Sequence, residues 1–171
     1  MAFTVQNENG TQAGANAYVS VEFFKAYHLD RANAYTATDE QIQAAIIKAT
    51  DYLDTRFTFI GAKAYGRDQT TAWPRVGAFD LDGYSIDGLP EEIKNAVCEY
   101  ALRALASSLM ADPSRDATGA AIQSKENTVG PITEKITFAT GAAYTLPKYP
   151  AADRRLIASG LVVSGGSSVR G

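Results

Sequence analysis

Residues 90–111 read PEEIKNAVCEYALRALASSLMA, and this stretch indicates the fold class of the chain. Its leading proline suits the first position of a helix, and Glu91 and Glu92 place negative charge near the positive end of the helix dipole. From Val97 onward the helix is apolar on nearly every side, which is typical of a helix packed on several sides. We therefore predict a central helix that runs to about Ala111, where an Asp-Pro pair follows.

Shorter amphipathic patterns flank this central helix. Ser20 is suited to cap a helix that runs to about His28. Residues 38–41 (TDEQ) have the spacing of a capping box, and apolar residues then recur at steps of four and three along one face: Ile42, Ile46, Ala49, Leu53 and Phe57. A short helix from Pro150 to about Ser159 is predicted near the C-terminus.

Residues 58–88 interrupt the helical pattern with five glycines and one proline. The segment carries irregularly spaced aromatic residues and the motif Ala72-Trp73-Pro74-Arg75, so we predict a long ordered loop, called here the Trp-Pro loop. Loops of this length in compact domains usually serve binding or assembly. Trp73 is expected to be an apolar anchor, followed by the exposed cation of Arg75.

A period of two appears at residues 132–138, which predicts a β-strand. Residues 122–129 are either its partner strand or its continuation, and the Gly-Pro pair between them favours a peripheral position. The predicted fold class is mainly α: a small helical bundle with a long Trp-Pro loop and a peripheral β-hairpin or strand excursion at about 120–139.

A chain of 171 residues is expected to form one domain. We predict a flexible N-terminal arm at 1–17, a single domain at 18–160 and a flexible tail at 161–171. No apolar run approaches the roughly 18 residues of a membrane span, and no signal peptide pattern is present. We therefore expect a soluble, intracellular protein that has no membrane partner.

Charge is unevenly distributed along the chain, whose net charge is −3. Residues 1–112 hold 9 basic and 15 acidic side chains, whereas residues 113–171 hold 7 and 4, so the C-terminal third is net positive. Nucleic-acid-binding proteins usually present a basic stripe, which this acidic chain lacks. The asymmetry indicates a directional partner surface.

The chain offers few groups for catalysis or metal binding. His28 and Cys98 are the only histidine and the only cysteine, and we interpret them as a helix-end residue and a small buried hydrophobe. Residues 80–88 hold three carboxylates near glycines but lack the complete ligand set of a calcium loop. We expect no catalytic residue, no metal site and no cofactor, so the protein is not expected to be an enzyme.

One sequence pattern, in contrast, favours a function in nucleic-acid binding. Basic and aromatic residues alternate in the Trp-Pro loop, as they do on protein surfaces that bind single-stranded DNA: Lys63, Tyr65, Arg67, Trp73 and Arg75. The alternative interpretation is an aromatic-anchored loop that packs on the helices.

Several runs together resemble a known family. Their order and spacing are similar to those of phage head-to-tail adaptors, the head-completion or neck connector proteins, over about residues 17–160: AYVSVE (17–22), ATDYLD (49–54), AWPR (72–75), LPEEIKNAVCE (89–99), VGPI (129–132) and YPAAD (149–153). Many such sequences carry the label of DnaT-like single-stranded-DNA-binding protein. The two labels imply different functions.

The adaptor resemblance implies a structural virion protein that forms a ring, commonly of twelve copies, beneath the portal. Its expected partners are itself, the portal protein, the next neck or tail-completion protein, and DNA that passes without sequence-specific binding. We expect it at the virion neck after synthesis in the host cytoplasm. The alternative is a single-stranded-DNA-binding replication accessory protein.

Two contact surfaces are assigned as hypotheses. Contacts between subunits are expected at the predicted strand, through Ile132, Ile136 and Phe138. The portal contact is expected at the C-terminal helix and tail, where basic residues are in excess, through Arg154, Arg155, Leu161, Val162, Val163, Val169 and Arg170.

Overall fold

The computed structural model describes residues 2–110 and 148–163, together with the backbone of residues 124–129 and 132–137. Four helices dominate the described residues, and the mainly α fold class is confirmed. The helices are α1 (Val21–Leu29), α2 (Asp39–Arg56), α3 (Glu91–Ala106) and α4 (Pro150–Ala158). The short strands are β1 (Ala62–Lys63) and β2 (Arg75–Val76), and a longer pair is formed by β3 (Ser124–Val129) and β4 (Ile132–Thr137).

The first two helices begin where the capping residues predict. Ser20 accepts a hydrogen bond from the backbone of Phe23, and Thr38 and Gln41 form a reciprocal capping box. The predicted apolar stripe of α2 is the core face of that helix, and four of its residues are completely buried: Ile42, Ile46, Ala49 and Leu53. These local patterns therefore position α2 correctly from sequence alone.

The predicted end of the central helix is wrong by about five residues. Helix α3 ends at Ala106, and the backbone of Ser107 is extended. Serine competes for backbone hydrogen bonds and favours helix ends over helix interiors, which explains the earlier stop. Residues 96–101 are buried, whereas Leu102 and Leu105 are only half-buried. The apolar C-terminal half of α3 is therefore less enclosed than its composition predicts.

The N-terminal segment differs from the predicted flexible arm, since residues 2–17 pack on the Trp-Pro loop. Val5 pairs with Ala17 in a parallel bridge, and the buried side chain of Gln6 donates a 2.9 Å hydrogen bond to Thr71. The Thr70 hydroxyl donates to the carbonyl of Ala15 at 2.7 Å. The polar side chains that suggested a solvated arm instead satisfy buried backbone and side-chain groups.

The Trp-Pro loop is ordered, as predicted, and it contains a miniature antiparallel ladder. Ala62 pairs with Val76, and Lys63 pairs with Arg75. The peptide bond between Trp73 and Pro74 is cis. Strands of two residues are too short to show a period of two, so the sequence pattern did not reveal β1 and β2.

Residues 110–147 form a compact unit separate from residues 1–109 and 148–171. Within this unit β3 and β4 pair antiparallel, with a register from Val129 opposite Ile132 to Ser124 opposite Thr137. Residues 124–129 are thus the partner strand, which settles the alternative left open by the sequence. Ile132 and Ile136 belong to β4, and Phe138 lies outside the described residues.

In the part of the chain that the structure describes, no helix combines the length and the apolar character needed to cross a membrane.

Candidate interaction surfaces

Trp73 anchors the Trp-Pro loop in the core. Its side chain is fully buried, and the Phe59 ring packs edge-to-face on it at 5.9 Å between ring centroids. The expectation of an apolar anchor is confirmed. Because the indole is covered, it offers no face on which a nucleic-acid base can stack.

A buried pair of polar side chains positions this loop on α2. The Tyr18 hydroxyl donates to Asp54 Oδ1 at 2.6 Å and accepts from the backbone N–H of Trp73 at 3.0 Å. Asp54 Oδ2 accepts from the N–H of Ala72 at 2.8 Å. Burial raises the pKa of Asp54 to about 6, against the opposing effect of the hydrogen bonds from Tyr18 and Ala72. Burial and the neighbouring Asp54 carboxylate raise the pKa of Tyr18.

The expectation that Arg75 is an exposed cation is wrong. Its guanidinium donates to the carbonyls of Ile60 at 2.6 Å, Gly61 at 2.6 Å and Ala72 at 3.1 Å. Backbone carbonyls that the irregular loop leaves without strand partners are satisfied in this way. Arg75 therefore stabilises the Trp-Pro loop from within.

The remaining members of the predicted single-strand platform do not form a common surface with Trp73 and Arg75. Lys63 donates to the carbonyl of Gln69 at 2.9 Å. Tyr65 is 54% exposed and Arg67 is exposed. Tyr65 and Arg67 are therefore the members of the predicted platform that are exposed and have no side-chain hydrogen bond within the described residues.

The C-terminal segment is folded further than the predicted tail, which began at residue 161. Leu161 is 1% exposed, its carbonyl accepts from the N–H of Ile60 at 3.1 Å, and Val162 pairs with Phe59 in an antiparallel bridge. Leu161 therefore belongs to the core, and its assignment to the portal contact is wrong. The apolar side chain of Leu161 is buried beside residues that are distant in sequence. A local sequence pattern does not predict such a contact.

The other residues of the predicted portal contact fall into two groups. Arg154 is exposed, Arg155 and Val162 are half-buried, and Val163 is 48% exposed. Val169 and Arg170 lie outside the described residues.

Asp153 holds α4 against two other helices. Its carboxylate accepts from the Tyr100 hydroxyl at 2.5 Å and from the Tyr149 N–H at 3.2 Å, and it pairs with the Arg56 guanidinium at 3.1 Å. Asp153 is 8% exposed, and a buried carboxylate that is fully hydrogen-bonded resists changes of geometry. Asp153 therefore fixes the start of α4 to α2 and α3.

Residues 78–86 form a small hairpin, called here the apolar finger, which the sequence analysis missed. Phe79 pairs with Ser85, and four exposed apolar side chains lie on the finger and at the end of α4: Phe79 (55% exposed), Leu81 (76%), Tyr84 (72%) and Ile157 (61%). Leu81 packs on Gly160, two residues after the end of α4, since a Cβ on Gly160 would lie 2.7 Å from Leu81 Cδ2. The Asp-Gly pair between two apolar residues was the available signal for this hairpin.

The candidate catalytic residues have structural roles. His28 is completely buried, and its neutral form donates from Nε2 to the Cys98 carbonyl at 3.1 Å and accepts at Nδ1 from Asn33 at 3.0 Å. Burial lowers the pKa of His28 and raises that of the Cys98 thiol. The interpretation of Cys98 as a small buried hydrophobe is confirmed, and both residues bind α1 to α3.

Neither the acidic loop nor the groove beside α2 has the features of a ligand site. Asp80 Oδ1 accepts from the N–H groups of Asp82 and Tyr84, so it closes its own turn. No cluster of metal-ligating side chains occurs among the described residues. A groove of about 190 Å³ between Thr36 and Leu105 is smaller than the roughly 300 Å³ of typical ligand pockets.

The fold and these surfaces define a small, mainly α protein with a structural Trp-Pro loop and exposed apolar side chains. A protein-family model described as "Putative DnaT-like ssDNA binding protein" matches residues 1–170. The chain belongs to this family. The search of curated proteins found no significant match, and neither did the search of solved structures.

Proposed function

We propose that the protein is a structural head-to-tail adaptor of a phage virion. About twelve copies would form a ring beneath the portal, join the head to the next neck or tail-completion protein, and keep the DNA channel continuous. DNA passes through the ring without sequence-specific binding. The protein is then made in the host cytoplasm and resides at the virion neck, and its function requires neither an enzymatic activity nor a cofactor.

The apolar finger and the adjoining end of α4 support this proposal. Leu81, Tyr84 and Ile157 are each more than 60% exposed, and Phe79 of the same hairpin is 55% exposed. Monomeric proteins seldom keep several large apolar side chains together in water, whereas such patches commonly mark protein contacts. An assembly in which each subunit covers this surface removes it from water.

Two further contacts complete the proposed assembly. Strand β4, with Ile132 and Ile136, and the neighbouring Phe138 contact an adjacent subunit. The portal contact uses the outer face of α4 and the residues that follow it, without the buried Leu161: Arg154, Arg155, Val162, Val163, Val169 and Arg170.

Assembly is tested with the purified chain, alone and mixed with its portal, by light scattering and negative-stain imaging. We expect rings, and we expect Leu81→Asp with Tyr84→Asp to abolish them while the melting temperature of the monomer is retained. Leu29→Asp is the matched control, because Leu29 is 80% exposed at the end of α1, away from the finger in sequence. A chain that stays monomeric with and without portal contradicts the proposal.

The strand contact is tested separately by Ile136→Asp with Phe138→Asp. This variant should keep a folded subunit and weaken contacts between subunits. Unchanged assembly beneath the portal excludes β4 from the interface and leaves the apolar finger as the remaining candidate.

The family description favours a second candidate, a single-stranded-DNA-binding accessory protein. Tyr65 and Arg67 are the members of the predicted platform that remain exposed. We expect weak binding of a labelled thymidine 30-mer at physiological salt, since the chain is net negative. Tight binding that is lost in Tyr65→Ala with Arg67→Ala favours this second function over the adaptor.

A further inference from the structure

Three arginines lie beside Tyr27 or its partner Glu99 and are called here the arginine cluster: Arg31 in the turn after α1, Arg103 on α3 and Arg155 on α4. Arg31 Cζ lies 3.6 Å from the centroid of the Tyr27 ring, and Arg155 Cζ lies 5.9 Å from it. The Tyr27 hydroxyl donates to Glu99 Oε1 at 2.9 Å, and Arg103 donates to Glu99 Oε2 at 2.8 Å. The cluster thus connects the turn after α1 to α3 and α4.

The arginine cluster has an excess of positive charge, because three guanidinium groups face one carboxylate. Glu99 is its one paired carboxylate within the described ranges, and that carboxylate is already bonded to Arg103 and Tyr27. Burial raises the pKa of Glu99, but the hydrogen bonds from Tyr27 and Arg103 prevail and lower it, so Glu99 is ionised at neutral pH. Two cations, Arg31 and Arg155, have no ion-pair partner in the described part of the chain.

Arg155 is the least satisfied member of the cluster. Its Nε is buried and has no hydrogen-bond partner among the residues that the structure describes. Arg31, in contrast, stacks on Tyr27 and donates to the Tyr27 carbonyl at 2.9 Å. A buried donor without an acceptor lowers stability. A negative charge brought close to this guanidinium would offset part of that cost through its field.

We propose that the arginine cluster binds the carboxylate side chain of an aspartate or glutamate from a partner protein, with Arg155 as the principal donor. Guanidinium groups present paired N–H donors whose spacing matches a carboxylate. Glu99 demonstrates that the surroundings of Tyr27 accommodate such a group. The inference rests on the proposed function, because it names the chemistry by which α4 docks onto a partner of the neck.

A partner carboxylate fits the cluster better than a nucleic-acid backbone does. Nucleic acids bind through a row of phosphates, and each neighbouring phosphate needs its own cation. The exposed carboxylate of Asp30 precedes Arg31, and residues 1–112 carry a net charge of −6. A row of phosphates would therefore meet repulsion beside Asp30 and from the net negative charge of the chain, and one carboxylate side chain would meet less of it.

The test uses as its probe a short rhodamine-labelled Gly-Ser peptide that carries one glutamate and an amidated C-terminus, and it measures binding to the full chain by fluorescence anisotropy at low salt. We expect Arg155→Gln to weaken binding about tenfold, equivalent to about 1.4 kcal/mol. Arg31→Gln should weaken it by about threefold, since Arg31 contributes mainly through the local field. Lys48→Gln is the charge-matched control, because Lys48 is exposed on α2 and makes no contact with Tyr27.

The outcomes separate three possibilities. Equal losses in Arg155→Gln and Lys48→Gln overturn the inference, because they indicate nonspecific attraction. Tighter binding of a thymidine 30-mer than of the glutamate peptide, lost in Arg155→Gln, also overturns it and identifies the cluster as a nucleic-acid site. Circular dichroism tests whether each variant is folded. If Arg155→Gln does not fold, the comparison of Arg31→Gln with Lys48→Gln still tests the inference. Ring formation measured by light scattering reports on the proposed function independently of the probe.

Discussion

The hydroxyl of Tyr18 lies 2.6 Å from Asp54 Oδ1, and this hydrogen bond connects the segment that precedes α1 to the last turns of α2. The same hydroxyl accepts the N–H of Trp73. One phenol therefore joins the N-terminal segment, the longest helix and the Trp-Pro loop, three parts of the chain that are far apart in sequence.

Replacement of Tyr18 by phenylalanine should destabilise the fold by about 1–3 kcal/mol, because the Asp54 carboxylate and the Trp73 N–H lose their partner in a buried site. Denaturant unfolding monitored by circular dichroism measures this change. Tyr84→Phe, at a residue that is 72% exposed, is the control and should change stability by less than about 0.5 kcal/mol.

The pKa of Asp54 predicts a specific pH dependence of stability. Burial raises this pKa to about 6 in the folded protein, above the unfolded value of about 3.9. The folded state then binds the proton more tightly, so the stabilisation is complete below about pH 4 and is lost as the pH rises through about 6. Its size is about 3 kcal/mol.

Comparison of the wild-type chain with Asp54→Asn isolates this contribution. The difference between their free energies of unfolding should vary between pH 4 and 7 and stay constant above pH 7. A difference that is independent of pH over the whole range means that Asp54 has an ordinary pKa.

Trp73 is the only tryptophan, so its fluorescence reports on the Trp-Pro loop alone. Because Trp73 is fully buried, acrylamide should quench its emission weakly in the folded protein and strongly after unfolding. Addition of a thymidine 30-mer should leave the emission unchanged. A large change on addition of the oligonucleotide is incompatible with a tryptophan that has no accessible face.

Two glycines of the Trp-Pro loop share a left-handed backbone but differ in the space beside them. Gly61 has φ +71° and a Cβ there would lie 2.5 Å from the Val76 carbonyl oxygen, whereas Gly77 has φ +65° and open space. Both alanine variants incur about 1–2 kcal/mol for the backbone conformation. Gly61→Ala should therefore lower the melting temperature clearly more than Gly77→Ala does. Equal decreases in melting temperature would exclude the close approach of Gly61, just before β1, to Val76 in β2.

The buried Leu161 determines how many C-terminal residues can be deleted without loss of stability. Deletion of residues 164–171 removes none of the buried Leu161 side chain, so the subunit should keep its stability. Under the adaptor proposal it should lose docking to portal-bearing heads. Leu161→Ala should instead cost about 2–5 kcal/mol in unfolding free energy. Normal docking of the truncated chain would remove Val169 and Arg170 from the portal contact.

Local chemistry determined much of the fold from sequence alone. The capping box at Thr38 and the apolar stripe of α2 depend only on residues within a few positions of each other, and both are confirmed. The same is true of the start of α1 at Ser20 and of the strand period in β4. Spacing within one helix or strand is encoded directly, because its partners are neighbours in the chain.

Tertiary structure decided the roles of the isolated polar and aromatic residues. Trp73 and Arg75 resembled a base-stacking platform in sequence, but Tyr18 and the carbonyl of Ile60 engage them inside the protein. Likewise, Arg155 on α4 joins the cluster around Tyr27 only because α1, α3 and α4 pack together. Whether an arginine is a surface cation or a buried donor depends on the acceptors that folding brings within about 3 Å, and those come from residues distant in sequence.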